Sequence, residues 1–173
     1  REHGLDVTSS PFYNAPVGYP INLDLSEFAW MAPFGFISGF LGPIFTFNLF
    51  VFLSFFLSFL TMYGLSFYLI RNKWASFWAG LVYSFAPYHF WQSLSHASLS
   101  YIQWLPVFVW SLFYFDRHKN LKSAIFLSLS FVLVSLTSFY YAFFSLLVVM
   151  VFFGWRFIFD FRNYFRLRVL GLA

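Results

Sequence analysis

The sequence has few charged residues and no cysteine. Charged residues make up 9% of its 173 positions, hydrophobic residues make up 61%, and mean hydropathy is +0.72. A soluble domain of this length needs far more polar surface, so an ordinary soluble fold is excluded and a lipid-covered chain is predicted. The absence of cysteine excludes disulfides and thiolate metal sites. The sequence also lacks the P-loop, GxGxxG, GxSxG and HExxH motifs, which removes the usual signatures of soluble enzymes.

The sequence instead contains long apolar runs. The first, Ile44 to Ile70, carries no charge and would reach roughly 40 Å as a helix, more than the roughly 30 Å hydrocarbon core of a bilayer. We predict an all-α integral membrane protein with about five transmembrane helices plus an extracytoplasmic loop with a juxtamembrane helix. The predicted spans are about 44–70, 74–94, 99–115, 123–137 and 139–155.

Prolines and a short polar turn affect four of these spans. Pro87 predicts a break in the second run, and Pro106 predicts a kink or loosening in the third. The fourth and fifth runs are predicted to be separate helices joined at Thr137-Ser138, and a single long helix is the alternative. The stretch 28–42 is too short and too broken by proline and glycine to span. It predicts the juxtamembrane helix, with Asp24 as its cap.

The basic residues predict the orientation. With five spans, all but one of the lysines and arginines fall on one side, and the positive-inside rule makes that side the cytoplasm. The net charge of +4 is thus an orientation signal, and the expected partners are membrane lipids, with no nucleic acid. The predicted segments are an extracytoplasmic loop and juxtamembrane helix (1–43), a transmembrane bundle (44–155), and a cytoplasmic basic interfacial segment with the start of a further span (156–173). We expect further spans before Arg1, and a multi-pass protein of the plasma membrane.

Polar residues concentrate in two segments of the predicted outer face. His89, Gln92 and His96 are spaced i, i+3 and i+7, so a continuous helix would present them on one face. One interpretation is that they line an outward-opening site, because ionisable residues at membrane depth tend to face cavities. The other is that both histidines lie at headgroup level. Two helical turns separate the histidines by roughly 10 Å, so a divalent metal would need added carboxylates from the first loop.

Carboxylates of the first loop are the candidate general bases. Asp6 and Asp24 could deprotonate an acceptor hydroxyl. The alternatives are a solvated loop position for Asp6 and helix capping for Asp24. Neither choice can be made from the residues alone.

Two stretches resemble a known family. The segment 11–23, PFYNAPVGYPINL, and the later pieces AGLVYSFAPY at 79–88, His96 and Trp104-Leu105-Pro106 are similar to stretches of multi-spanning prokaryotic membrane glycosyltransferases of the GT-C class. The resemblance implies transfer of a sugar from a polyprenyl-phosphate donor to an acceptor on the extracytoplasmic face. It also implies a catalytic carboxylate, for which Asp6 and Asp24 are the candidates, and substrate binding by Tyr19 and His96, which lie in the matching stretches. We further predict that His89 and Gln92, spaced to share a helical face with His96, bind substrate.

The sequence departs from that pattern at one of these pieces. Ser95 stands before His96 where the family pattern has glycine. An alternative function is a transporter or flippase of a lipid-linked or small polar substrate, with Pro87 and Pro106 marking broken helices around a site at mid-membrane. A non-catalytic membrane scaffold is the third possibility.

Overall fold

The computed structural model describes residues 9–10, 19–20 and 28–169, with side chains described for 32–159 apart from Ala97. Within these residues the fold is helical, apart from two short strands, β1 (Ser9–Ser10) and β2 (Tyr19–Pro20), which pair antiparallel. The helices are α1 (Phe28–Leu41), α2 (Pro43–Ile70), α3 (Lys73–Ser84), α4 (Pro87–Ser95), a 3-10 turn (Ala97–Ser100), α5 (Trp104–His118), α6 (Leu121–Ser135) and α7 (Phe139–Val169).

Two of these helices are long and apolar enough to cross a membrane. They are α2, with 28 residues, and the Phe139–Phe159 portion of α7, with 21 residues. By length, α2 reaches roughly 42 Å. Helices α3, α5 and α6 have 12, 15 and 15 residues, so each is shorter than the roughly 30 Å hydrocarbon core. Helix therefore occurs in all five predicted runs, and two of the helices have the full length of a span.

Local signals explain where α2 begins and ends. Gly42 precedes α2 with a φ of 78°, a left-handed conformation that glycine adopts without strain, and Pro43 occupies the first turn. Arg71 closes the helix in the left-handed αL conformation. Asn72 then caps α3, because its side-chain oxygen accepts from the backbone N–H groups of Trp74 and Ala75. The predicted bounds of this first long helix are confirmed.

The two interrupting prolines have different effects. The predicted break at Pro87 is confirmed: α3 ends at Ser84, and Pro87 opens α4 at a position where a missing N–H costs nothing. The predicted kink at Pro106 is wrong. Because α5 begins at Trp104, Pro106 lies in the first turn, where backbone N–H groups have no partner inside the helix.

A three-residue turn separates α6 from α7. The helices end at Ser135 and begin at Phe139, which confirms two helices rather than one. Helix α7 then continues without a break past Arg156 to Val169. The basic stretch predicted as a separate interfacial segment is thus a continuation of α7, since no proline or capping sequence stops the helix at Trp155.

Small polar side chains fill the interfaces between helices, and large apolar side chains face outward. Ser76, Gly80 and Ser84 lie buried on α3, and a Cβ added at Gly80 would approach the backbone oxygen of Phe59 to 2.9 Å. The large side chains of α2 and α7 are instead widely exposed, as at Val151, which is 72% exposed. Close approach through small residues with apolar bulk outside is typical of helices that pack within lipid.

Side-chain contacts bring the basic residues to one end of the bundle. The guanidinium carbon of Arg117 lies 4.9 Å from the centre of the Tyr68 ring, and that of Arg71 lies 5.9 Å from it. Arg156 pairs with Asp116 at 3.1 Å. We call this end, which holds the C-termini of α2 and α5 and the N-termini of α3 and α6, the basic end. Helix α4, the 3-10 turn and the turn between α6 and α7 lie at the opposite end.

Candidate functional site

A cleft of about 800 Å³ opens between α4 and the start of α7, at the end opposite the basic end. We call it the α4–α7 cleft. One wall comes from α4 and the 3-10 turn and consists of Tyr88, Trp91, Gln92, His96, Ser98 and Leu99. The other wall comes from the turn after α6 and the first turns of α7 and consists of Ser138, Phe139, Tyr140, Tyr141 and Phe144.

The break after α3 positions the first wall. Pro87 restarts the helix after Ala86, whose extended backbone redirects the chain. Helix α4 lasts nine residues and ends at Ser95. His96 caps it, and the His96 backbone N–H donates to the carbonyl of Gln92 at 2.8 Å. The 3-10 turn follows immediately. As a result Gln92 lies within the last turn of a short helix, and His96 lies at its end.

Tyrosine hydroxyls fasten the two walls together. The Tyr141 hydroxyl donates to the carbonyl of Leu99. Because that hydrogen is used, the Tyr88 hydroxyl is the donor in its 3.1 Å contact with the Tyr141 oxygen. The two walls are therefore joined by hydrogen bonds that link α4 and the 3-10 turn to α7. Tyr83 of α3 donates to the carbonyl of Ile102 at 2.8 Å, which ties α3 to the segment between the 3-10 turn and α5.

His89 is not part of the cleft wall. Its ring is completely buried and stacks on Phe55 with ring centres 3.9 Å apart. Nδ1 lies 2.7 Å from the carbonyl oxygen of Ser84, and Nε2 lies 3.1 Å from the Ser54 hydroxyl. Because a carbonyl only accepts, Nδ1 carries a hydrogen and satisfies a carbonyl that the end of α3 leaves open. The sequence grouped His89 with Gln92 and His96, and the structure separates it from them.

Gln92 and His96 do line the cleft. The His96 side chain is exposed and forms no hydrogen bond within the described part of the chain. The Oε1 atom of Gln92 is shielded from solvent and lacks a hydrogen-bond partner there. His96 is thus open to a ligand, whereas Gln92 belongs to the wall with its side-chain oxygen covered. Between residues 32 and 159 no Asp, Glu, Lys or Arg lines the cleft, so its walls are aromatic with neutral polar groups.

Three predicted site residues cannot be placed against these walls. Asp6 and Asp24 lie outside the described residues. Tyr19 is in β2, and its side chain lies outside the described part. The catalytic role predicted for Asp6 or Asp24 and the substrate-binding role predicted for Tyr19 therefore stay predictions. Within the part that the structure describes, no group of three or more His, Asp or Glu side chains could hold a metal ion.

The sequence did not predict the second wall of the cleft. The aromatic start of α7, with Phe139, Tyr140 and Tyr141, forms a wall that no spacing rule within α4 could reveal. A signal did exist. The turn at Thr137-Ser138 falls on the same predicted side as Pro87 to Ser98, and the run FYYAFF follows it directly. Aromatic residues at that level are either an interfacial belt or the wall of a site.

Comparison of the chain with protein-family models, with curated proteins and with solved structures gives no match. A functional proposal therefore rests on the geometry of the α4–α7 cleft and on the sequence stretches quoted above. The two share one residue, because His96 lines the cleft and is also one of the positions in the quoted stretches.

Proposed function

We propose that this chain belongs to a membrane glycosyltransferase whose α4–α7 cleft receives the sugar of a polyprenyl-phosphate donor on the extracytoplasmic face. The observation that carries the proposal is the composition of the cleft, with aromatic walls and neutral hydrogen-bonding groups. Pockets for small molecules commonly combine aromatic walls with a few convergent polar groups. A sugar suits this combination, since its ring has an apolar face and its edges carry hydroxyls.

The proposed orientation places the basic end in the cytoplasm and the cleft outside, with α2, α3 with α4, α5, α6 and α7 as five spans. Ser54, which contacts His89 next to the cleft, precedes Arg71 by seventeen residues of α2, or roughly 25 Å of helix. That length nearly equals the roughly 30 Å hydrocarbon core. The cleft thus lies close to one face of the bilayer when Arg71 lies at the other, and the positive-inside rule assigns Arg71 to the cytoplasm.

Exposed apolar surface beside the cleft favours a lipid-linked donor. Leu94 on α4 is 88% exposed, and Phe139 and Phe144 at the start of α7 are also exposed. A polyprenyl tail could stay in lipid against these side chains while its sugar enters the cleft. A soluble nucleotide-sugar would instead need cations for its diphosphate, and residues 32–159 supply none to the cleft.

The proposed reaction needs a base and a group that stabilises the leaving phosphate. Asp6 or Asp24 takes the proton of the acceptor hydroxyl, whose oxygen then attacks the anomeric carbon. The bond between that carbon and the phosphate oxygen breaks, and polyprenyl phosphate leaves. His96 is placed to donate a hydrogen bond to the departing phosphate. Among the described residues, His96 is the one side chain in the cleft that carries a group able to ligate a metal. The proposed mechanism therefore gives no role to a metal ion.

The transporter alternative receives less support. Its site is expected near mid-membrane, roughly 15 Å from either face of the hydrocarbon. The break at Phe85–Ala86 instead lies beside Phe55 of α2. His89, which follows in the first turn of α4, is buried and contacts Ser54. The second marker of a broken helix, Pro106, lies in the first turn of α5.

Substitution of the loop carboxylates tests the proposal. In the intact protein in membranes, with a polyprenyl-phosphate sugar as donor, we expect Asp6→Asn or Asp24→Asn to reduce transfer by roughly a hundredfold to ten-thousandfold, as loss of a general base does. Asp160→Asn, on the far part of α7, is the matched control and should keep full transfer. The proposal fails if the unmodified protein transfers sugar from no such donor, or if both loop variants keep full activity. Movement of the donor across vesicles without a new glycosidic bond would favour the transporter.

A further inference from the structure

Two arginines from different helices meet on one tyrosine at the basic end. Arg71 is the αL residue that closes α2, and Arg117 lies in the last turn of α5. Their guanidinium carbons lie 5.9 Å and 4.9 Å from the centre of the Tyr68 ring. The two cations are therefore no further apart than these distances together. We call Tyr68, Arg71 and Arg117 the Tyr68 cluster.

Neither arginine of the Tyr68 cluster is paired with a carboxylate within the described part of the chain. The ion pair found there joins Arg156 to Asp116, and neither arginine of the cluster takes part in it. The Tyr68 hydroxyl is shielded from solvent and has no hydrogen-bond partner in the same part. Helix C-termini do favour cations. They do not explain why two like charges share one ring beside an unpaired hydroxyl donor.

The level of the cluster in the bundle indicates what supplies the missing charge. Arg71 directly follows Ile70, the last residue of the membrane-crossing helix α2. Apolar side chains on either side are exposed, with Ile70 at 60% and Trp74 at 77%. The phosphate of a phospholipid lies at this level, just outside the hydrocarbon, and its acyl chains would lie against the exposed apolar side chains.

We propose that the Tyr68 cluster binds the phosphate of an anionic phospholipid. The planar guanidinium groups of Arg71 and Arg117 can each donate two parallel hydrogen bonds to phosphate oxygens. The Tyr68 ring holds both guanidinium groups in place through cation–π contact. This site is at the opposite end of the bundle from the α4–α7 cleft and does not depend on the proposed enzyme activity.

Spin-labelled lipids provide the test. The intact protein is placed in phosphatidylcholine vesicles that contain either spin-labelled phosphatidylglycerol or spin-labelled phosphatidylcholine, and electron paramagnetic resonance gives the relative association constant. We expect a clear preference for phosphatidylglycerol. Arg71→Gln and Arg117→Gln should each lower it by roughly fivefold, the effect of one arginine near an anionic surface. Lys122→Gln makes the same change of charge at a residue that is not on the Tyr68 ring, and should have a smaller effect.

A substitution that leaves the net charge unchanged distinguishes a specific phosphate site from a general attraction of anionic lipid to the positive charges of the basic end. Tyr68→Leu removes the ring and the hydroxyl, so the proposed site requires it to lower the preference at unchanged net charge. Arg117→Lys, which keeps the charge and loses the planar fork, provides the same contrast if Tyr68→Leu does not fold. The proposal is overturned if the unmodified protein does not prefer phosphatidylglycerol. It is also overturned if Lys122→Gln matches Arg117→Gln while the charge-preserving variant has no effect. Displacement of the labelled lipid by about 10 mM inorganic phosphate, at a salt concentration held constant to keep the screening fixed, would assign the site to soluble phosphate instead.

Discussion

Replacing His96 with alanine is expected to reduce sugar transfer by on the order of a hundredfold, because a hydrogen-bond donor to the leaving phosphate is lost. His96 ends α4 on the wall of the α4–α7 cleft, and its side chain is exposed. Its removal leaves no buried group without a partner, so folding and membrane insertion should not change. The measurement is turnover with a polyprenyl-phosphate sugar in membranes that hold equal amounts of each variant.

Ser95→Ala is the matched control for this prediction. Ser95 is the neighbouring residue, is also exposed, and bonds through its hydroxyl to the Trp91 carbonyl of its own helix at 2.7 Å. We expect it to keep nearly full transfer. Normal transfer by a stably inserted His96→Ala protein would contradict the proposed role and leave His96 as an aromatic ring at the membrane interface.

His89→Ala, unlike His96→Ala, is expected to destabilise the fold, lowering the free energy of unfolding by about 2–4 kcal/mol. The substitution opens a cavity beside Phe55 and removes the partner of the Ser84 carbonyl, which the end of α3 leaves unbonded. It also removes the contact with Ser54 that ties α4 to α2. The measurement is the free energy of unfolding in detergent micelles, from denaturant titration.

The exposed histidine supplies the control for the buried one. His96→Ala should change the free energy of unfolding by less than about 0.5 kcal/mol, as surface substitutions usually do. A His89→Ala protein of unchanged stability that no longer transfers sugar would show that His89 acts on substrate. The pair of histidines thus separates a role in the fold from a role in the site.

The sequence predicted the helix boundaries best where the signal is local. Gly42-Pro43, just before the predicted run 44–70, and Pro87, inside the second run, act through backbone conformation within one or two residues. The start of α2 and the break before α4 follow them. Pro106 shows the limit, because its effect depends on where α5 begins. That start, at Trp104, lies beside Ile102, whose carbonyl is held by the distant Tyr83, and such a contact is invisible to a local pattern.

The sequence predicted only part of the cleft, because the rest depends on contacts between residues that are distant in the chain. The spacing of His89, Gln92 and His96 shows that they can share a helical face, but it does not show what packs against that face. Packing of α4 on α2 buries His89 and leaves His96 exposed. The second wall, around Tyr141, is fifty residues away in sequence and is joined to α4 by the Tyr88 hydroxyl.

One contact surface between helices could also have been predicted from the sequence. Ser76, Gly80 and Ser84 recur at every fourth residue, the pattern of small residues through which membrane helices approach closely. The structure uses them in that way, since Gly80 lies against the backbone of Phe59 and the Ser84 hydroxyl donates to the carbonyl of Phe55 at 2.6 Å. This pattern predicts which face of α3 meets another helix. It does not predict which helix that is.

Accessibility of single cysteines tests most directly the central claim, that the α4–α7 cleft and the basic end lie on opposite sides of a membrane. The chain has no cysteine of its own. Ser95, the last residue of α4 at the same end of the bundle as the cleft, and His118, at the basic end, are both exposed. With a membrane-impermeant thiol reagent, Ser95→Cys should be labelled in intact cells, whereas His118→Cys should be labelled only after the membrane is permeabilised. Equal labelling of both positions from outside, or labelling of His118→Cys alone, would contradict the account.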